Sequence, residues 1–311
     1  MTEIPKCVAR QKSRLIPGMV RDVHDLEAFL FRFTQDVRLQ PSMEFVSLRV
    51  GESKPGGKFC VTGWVAYPSQ VKALETLLAD STLSEKIDLQ VSVLPGETLR
   101  AIGFCACPEE VTGRCDPSRG SPVAHIWAAQ DPIQPILKQS RWLLCRAENG
   151  YLAWIESPGE NFFTNRLLKT DSPGQCRLHP RAVDESFLKG FLEAPYVWGG
   201  MSRNGIDCSG FTYRIYREMG IILPRDSHQQ MLVGQYIAPS GEGPSFLPGD
   251  LLFFTHEDGR VGHVGYSLGG PRVIHAEEPF LTTFSLSPDD PDYNPARARH
   301  LVFGKRVLIP G

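Results

Sequence analysis

The sequence has no apolar run near the roughly 20 residues that a membrane-spanning helix needs, so no membrane span is expected. It lacks a strong charge of either sign, because 33 Lys and Arg against 35 Asp and Glu leave a net charge of −2. Such a chain exerts no general pull on nucleic acid or anionic lipid, and no nucleic-acid partner is expected. Internal repeats and low-complexity tracts are missing too. None of the eight cysteines forms a C-x-x-C pair. Cys105, Cys107 and Cys115 lie close together, but His125 is the one nearby histidine and a metal site there lacks a convincing fourth ligand. Scattered reduced thiols are the expected reading, with no metal and no cofactor. Met1 to Val20 lacks the apolar core of a secretory signal, being broken by Pro5, Pro17 and several Lys and Arg. This favours a cytoplasmic location. The alternative is a periplasmic or secreted protein whose signal has been removed.

What is present fits an ordinary globular protein: 311 residues, 41% hydrophobic and 22% charged, enough for two or three domains of roughly 100–150 residues. Phe45–Val50 and Lys58–Tyr67 are rich in β-formers, and Gly51 to Gly57 between them reads as a hairpin turn. Ser69 to Asp80 carries Val71, Leu74, Leu77 and Leu78 at helical spacing. Ile87 to Leu94 alternates as a strand does. These elements predict a small α+β domain over 1–120, with no chemistry assigned. Pro108 to Pro122 is dense in Pro, Gly, Arg, Asp and Ser and marks a boundary. Beyond it, Val123–Trp127, Trp142–Arg146 and Tyr151–Ile155 are short apolar runs, with the hairpin signal Asn149-Gly150 between the last two. A small β-barrel over 121–178 is expected.

From 179 to 311 the character changes. Within Ala194–Gly220, the Gly199-Gly200 loop leads to Asp207-Cys208-Ser209-Gly210, and then Phe211, Ile215 and Met219 recur as the apolar stripe of a helix. Gly220 is a natural stop. Cys208 therefore falls at a helix start, where unpaired N–H groups and the helix dipole favour a thiolate over the free thiol. A buried structural cysteine is the competing reading. A nucleophile needs a base. VGHVGYSL and RVIHA read as strands carrying His263 and His275, each histidine on one face and its apolar neighbours on the other. Gly262 and Gly265 leave little bulk beside His263. One imidazole would take the thiol proton, and the other would orient the first.

The segments YVWGG, DCSGF, LPRDS, LPGDLLFF, GHVGY and VIHA, in this order over about Phe187 to Val307, resemble the NlpC-type family of cell-wall cysteine peptidases. The resemblance implies a papain-like α+β catalytic domain at 179–311, with Cys208 as nucleophile, His263 as base and His275 as the third polar residue. A preceding bacterial SH3-like barrel at 121–178 is similar to the arrangement in the YkfC-like branch, γ-D-glutamyl-L-diamino-acid endopeptidases acting on peptidoglycan stem peptides with a free N-terminal L-Ala. By that resemblance, Asp207, Ser209, Asp226 and Ser227 would hold the substrate ammonium, and Tyr196 would face the substrate. Asp207 equally reads as the cap of the Cys208 helix, and Asp226 or Ser227 as the cap of the next one. The branch's barrel also supplies an aromatic that closes the cleft, for which Tyr151 and Trp154 are the candidates. Two alternatives use the same scaffold: an acyltransferase or amidase that resolves the thioester with another nucleophile, and a non-catalytic module that binds wall peptides.

Overall fold

The structure, a computed structural model, describes residues 20–37, 45–51, 57–100, 102–157, 183, 185–239 and 246–307. The chain divides into two compact units, Met1–Ala101 and Ile102–Gly311. Among the described residues no helix is long and apolar enough to cross a membrane.

The first unit runs α1 (Val23–Val37), β1 (Val46–Gly51), β2 (Phe59–Val65), α2 (Pro68–Ala79), β3 (Ile87–Val93) and α3 (Glu97–Arg100). β1 and β2 pair antiparallel. β2 and β3 pair parallel, which requires a crossover, and α2 supplies it. Leu26, Phe29, Leu30 and Phe33 of α1 are buried in one cluster with Val61, Val65, Leu74 and Leu78. α1 and the short α3 are elements that the sequence reading did not identify, although the apolar residues of α1 recur at helical spacing. Residues 52–56, inside the expected hairpin turn, lie outside the described residues.

The second unit opens with six strands: β4 (Cys105–Ala106), β5 (Val111–Arg114), β6 (Val123–Trp127), β7 (Pro132–Gln139), β8 (Trp142–Ala147) and β9 (Leu152–Glu156). They form an antiparallel sheet in the order β4-β7-β8-β9-β5-β6. The 120/121 division drawn from the sequence falls between β5 and β6. The stretch 158–182, which holds the expected end of the barrel at 178, lies outside the described residues. Gly150 takes φ +86° in the β8–β9 turn, a conformation glycine adopts without a Cβ clash, and Asn149 Oδ1 accepts from the Tyr151 N–H at 3.1 Å. Leu143, Cys145, Ala147, Tyr151, Ala153 and Ile155 alternate onto one buried face with Trp127 and Ile133.

After α4 (Glu185–Lys189), β10 (Met201–Ser202) and β11 (Gly205–Ile206) come α5 (Cys208–Glu218), α6 (Ser227–Gln230), β12 (Gln235–Ile237), β13 (Leu251–Thr255), β14 (Val261–Gly269), β15 (Arg272–Ala276), β16 (Leu281–Ser285), α7 (Pro295–His300) and β17 (Leu301–Arg306). The larger strands make a second six-stranded sheet, β12-β17-β13-β14-β15-β16. α5 packs across β14 and β15. Its stripe of Phe211, Ile215 and Met219 is buried with Leu251, Phe253, Val264 and Ile274. The hydrophobic stripe is thus what fixes the start of α5 against the strand carrying His263. Gly220 ends the helix at φ +85°, and Ile221 N–H bonds back to Tyr216 at 2.8 Å.

The opposite side of α5 is polar and faces the first six-stranded sheet, β4–β9 (the first sheet). Arg214 and Arg217 donate to Asp131 Oδ1 at 2.6 and 3.0 Å. Tyr213 donates to Glu148 at 2.6 Å, and Arg217 pairs with the same carboxylate. Ile126 N–H donates to the Gly199 carbonyl at 2.9 Å. The first sheet is therefore tied both to the helix that begins at Cys208 and to the loop that precedes it.

Candidate active site

Asp207 is the N-cap of α5, and its Oδ1 accepts from the Gly210 N–H at 2.7 Å. Oδ2 accepts from the Gly199 N–H at 2.8 Å. The Arg225 guanidinium spans both oxygens, and the Ser209 hydroxyl adds a 3.2 Å bond to Oδ1. Arg225 also donates to the Ser209 hydroxyl at 2.9 Å. Asp207 is thus a cap and an ion-pair partner whose oxygens are surrounded by donors from the chain itself. The sequence reading missed Arg225, although it lies inside the LPRDS motif.

Cys208 follows at the first helical position and is buried. Burial and then the Asp207 carboxylate push its thiol up to about 11, against the Val264 N–H, the Arg225 charge and the Ser209 N–H, which favour the thiolate. Removal of the sulfur from water thus opposes the helix start, which favours the thiolate. The Val264 N–H contact sets the sulfur against the strand residue next to His263.

His263 and His275 are both buried, on neighbouring strands β14 and β15. His263 Nε2 and His275 Nδ1 are 2.8 Å apart. Since Nε2 is engaged, Nδ1 is the His263 nitrogen left for another partner. Burial first, then the charges of His275, Arg297 and His256, hold His263 well below the usual imidazole range. Burial and Arg297 hold His275 at about 3. Burial thus works against the charged form of the thiol and of both imidazoles. The two flanking glycines make room for other neighbours: a Cβ at Gly262 would lie 2.0 Å from the His256 ring, and one at Gly265 would lie 2.7 Å from Val273.

The remaining expected residues border this centre unequally. Tyr196 is half-buried, and burial followed by the Cys208 and Asp207 charges pushes its phenol up, so it lies within reach of their charge. Asp226 is the N-cap residue of α6 and makes no side-chain cap bond there, and its charge reaches Arg225 and Cys115, the residue after β5. Ser227 is buried. Gln230 holds this segment to α5, bonding Thr212 at 2.7 Å, the Ser209 carbonyl at 3.0 Å and the Pro224 carbonyl at 2.9 Å. Of the two sheet aromatics, Tyr151 stacks on His125, with centroids 5.4 Å apart, and its phenol acts on Arg225. Trp154 is buried in β9 opposite Leu144 and Arg114. Glu277 and Arg297, also absent from the sequence reading, stand behind His275: Glu277 Oε2 is 3.6 Å from His275 Nε2, and Arg297 pairs with Glu277. The two-residue period from His275 to Glu277 was the available signal. Among the described residues no cluster of three or more His, Cys, Asp or Glu is placed to hold a metal ion.

Residues 193–288 match the NlpC/P60 family. A γ-D-glutamyl-L-lysine dipeptidyl-peptidase of Bacillus cereus is 36% identical over 132 residues, 41% of this chain and 36% of that protein. Its Bacillus subtilis counterpart by name is 41% identical over 88 residues, 28% of each chain. The chain thus spans about a third of the length of these curated relatives. A solved NlpC/P60 family protein from Bacillus cereus is 27% identical, covering 66% of this chain and 63% of that one with a TM-score of 0.38. Residues 193–288, which hold Cys208, His263 and His275, are an NlpC/P60 domain.

Proposed function

We propose that this domain is a cysteine peptidase that hydrolyses the γ-D-glutamyl–diamino acid bond of peptidoglycan stem peptides. The observation that carries the proposal is the 2.8 Å His263 Nε2–His275 Nδ1 contact on strands facing the helix start at Cys208. It leaves one imidazole nitrogen as the candidate base, on the strand whose Val264 N–H meets the buried Cys208 sulfur. The names of the curated relatives support the γ-D-glutamyl–lysine bond as the point of cleavage.

In this mechanism His263 Nδ1 takes the Cys208 proton as the sulfur attacks the γ-carbonyl of D-Glu, so charge forms only as it is used. Backbone N–H groups at the start of α5, the Cys208 N–H among them, stabilise the developing oxyanion. The His263 proton then passes to the leaving amine, which departs and leaves a thioester. Water, deprotonated by His263, releases the acyl group and returns the proton to sulfur. His275 keeps the His263 ring in place throughout.

For the ammonium of an N-terminal L-Ala we assign the carboxylate of Asp226 and the hydroxyl of Ser227, with Tyr196 lining the cleft. A buried ammonium needs a carboxylate and neutral acceptors. Asp207 acts instead by holding Arg225 and the start of α5, with Ser209 bonded between them. The antiparallel sheet at 105–156 takes the part of the SH3-like barrel, and Tyr151 is its aromatic at the cleft. The test is incubation with L-Ala-γ-D-Glu-L-Lys and with the diaminopimelate analogue, followed by mass analysis. Release of the dipeptide and the free diamino acid is expected. An intact substrate after prolonged incubation would overturn the proposal.

A further inference from the structure

Two neutral histidines joined through Nε2 and Nδ1 share one proton between those nitrogens, and the direction of sharing decides whether the pair can act as a base. If His275 donates from Nδ1, then His263 carries its own proton on Nδ1 and has no lone pair for a thiol. If His263 donates from Nε2, its Nδ1 is bare, and His275 carries its proton on Nε2. The 2.8 Å contact is compatible with either arrangement.

The side chain beyond His275 breaks that symmetry. Glu277 Oε2 lies 3.6 Å from His275 Nε2, beyond hydrogen-bond length but near enough for its charge to act. A carboxylate there favours an N–H facing it and disfavours a bare lone pair. Glu277 is itself fixed: Arg297 Nε donates to Oε2 at 3.3 Å, and Arg297 Nη2 pairs with Oε1. Arg297 is held in turn. Its backbone N–H donates to the Asn294 cap at 3.0 Å, and its guanidinium lies over the Phe254 ring, 5.9 Å from the centroid. The charged or titratable groups facing the two imidazoles are Arg297, His256 and Glu277. Of these, Glu277 alone is a carboxylate, an acceptor with a negative charge.

We infer that Glu277, braced by Arg297, is a positioning residue that sets the tautomer of the His263–His275 pair and so keeps His263 Nδ1 available as the base. This rests on the reading of Cys208 and His263 as nucleophile and base. In the absence of Glu277 the proton between the rings would distribute over both directions, and a share of molecules would hold an idle His263.

Histidine 15N chemical shifts of the labelled full chain test this, since Nδ1–H and Nε2–H tautomers differ in both ring nitrogens. The two residues are assigned with His263→Asn and His275→Asn. In the wild type at pH 8, both rings should be protonated on Nε2 alone. Glu277→Ala and the isosteric Glu277→Gln should give mixtures at both rings, and Glu277→Asp should restore the single form. Single Nε2–H forms persisting in Glu277→Ala and Glu277→Gln would overturn the inference. The rate of Cys208 alkylation at pH 7, located by peptide mapping, separates this from the underlying reading. It should fall in Glu277→Ala in proportion to the share of the idle tautomer, and further in His263→Ala. No change in His263→Ala would sink the cysteine–histidine reading itself. Slowing in His263→Ala, with unchanged tautomers in the Glu277 variants, would sink the role of Glu277 alone.

Discussion

The Arg225 guanidinium closes a two-point ion pair on the Asp207 carboxylate, with Nη1–Oδ1 at 2.9 Å and Nη2–Oδ2 at 2.6 Å, directly before Cys208 in the chain. Both side chains are almost wholly buried. Removing one partner strands the other charge away from water, which costs about 3–5 kcal/mol. Arg225→Met and Asp207→Leu are each expected to lower the urea-unfolding free energy by that amount. The double variant should lose less than the sum of the two. Additive losses would show that the pair is not coupled.

The Cys208 thiol is held at about 11 by burial and by Asp207. Its alkylation by iodoacetamide, which reacts with the thiolate, should therefore climb through the alkaline range. At neutral pH the remaining rate depends on proton transfer to His263. A full-rate plateau already present at pH 6 would contradict a thiol raised by burial. It would point instead to a preformed thiolate and imidazolium.

Acid should loosen this fold through the same histidines. Burial and Arg297 hold His275 at about 3, against 6.5 for a free imidazole, and His263 moves in the same direction. The folded-state value lies below the unfolded one, so the unfolded chain binds more protons between those limits. The stabilisation is complete above about pH 6.5 and is lost as the pH falls toward about 3. The slope reaches up to about 1.4 kcal/mol per pH unit for each histidine. Unfolding free energies from pH 7 to 4 should show this slope, and His275→Asn should make it shallower. An unchanged slope in the variant would count against a neutral, buried His275.

Gly199 takes φ +77°, and a Cβ there would lie 2.9 Å from Val123 Cγ1 of the first sheet. Its N–H also holds Asp207. Gly199→Ala should cost about 1–3 kcal/mol of stability through strain and weaken peptide turnover by shifting both the sheet and the Asp207 cap. A variant of unchanged stability, measured by thermal unfolding, would show that the loop can relax without disturbing the site.

The parts of this site that follow local period were legible in the sequence. Phe211, Ile215 and Met219 announce α5, and the alternation in VGHVGY and RVIHA places His263 and His275 on strands. Asn149-Gly150 announces the β8–β9 turn. The long-range pairings were not legible. Arg225 meets Asp207 across 18 positions and Arg297 meets Glu277 across 20, so no local pattern links them. The same holds for Asp131 with Arg214, which ties the first sheet to α5 across 83 positions. The burial of the Cys208 thiol was not legible for a related reason: a helix start can be read locally, but β14 and β15, against which α5 packs, lie 50 to 70 residues downstream. Asp207 shows how one residue type serves two readings, since the cap and the substrate carboxylate have the same sequence signature.

The central claim is that the Cys208 sulfur carries the γ-D-glutamyl acyl group during turnover. Acid quenching of the enzyme with L-Ala-γ-D-Glu-L-Lys during the first turnover, followed by peptide mass mapping, tests it most directly. The account predicts an L-Ala-D-Glu acyl adduct on the peptide containing Cys208, with lysine released in equal amount, and neither in Cys208→Ala. Lysine release that persists in Cys208→Ala would contradict it.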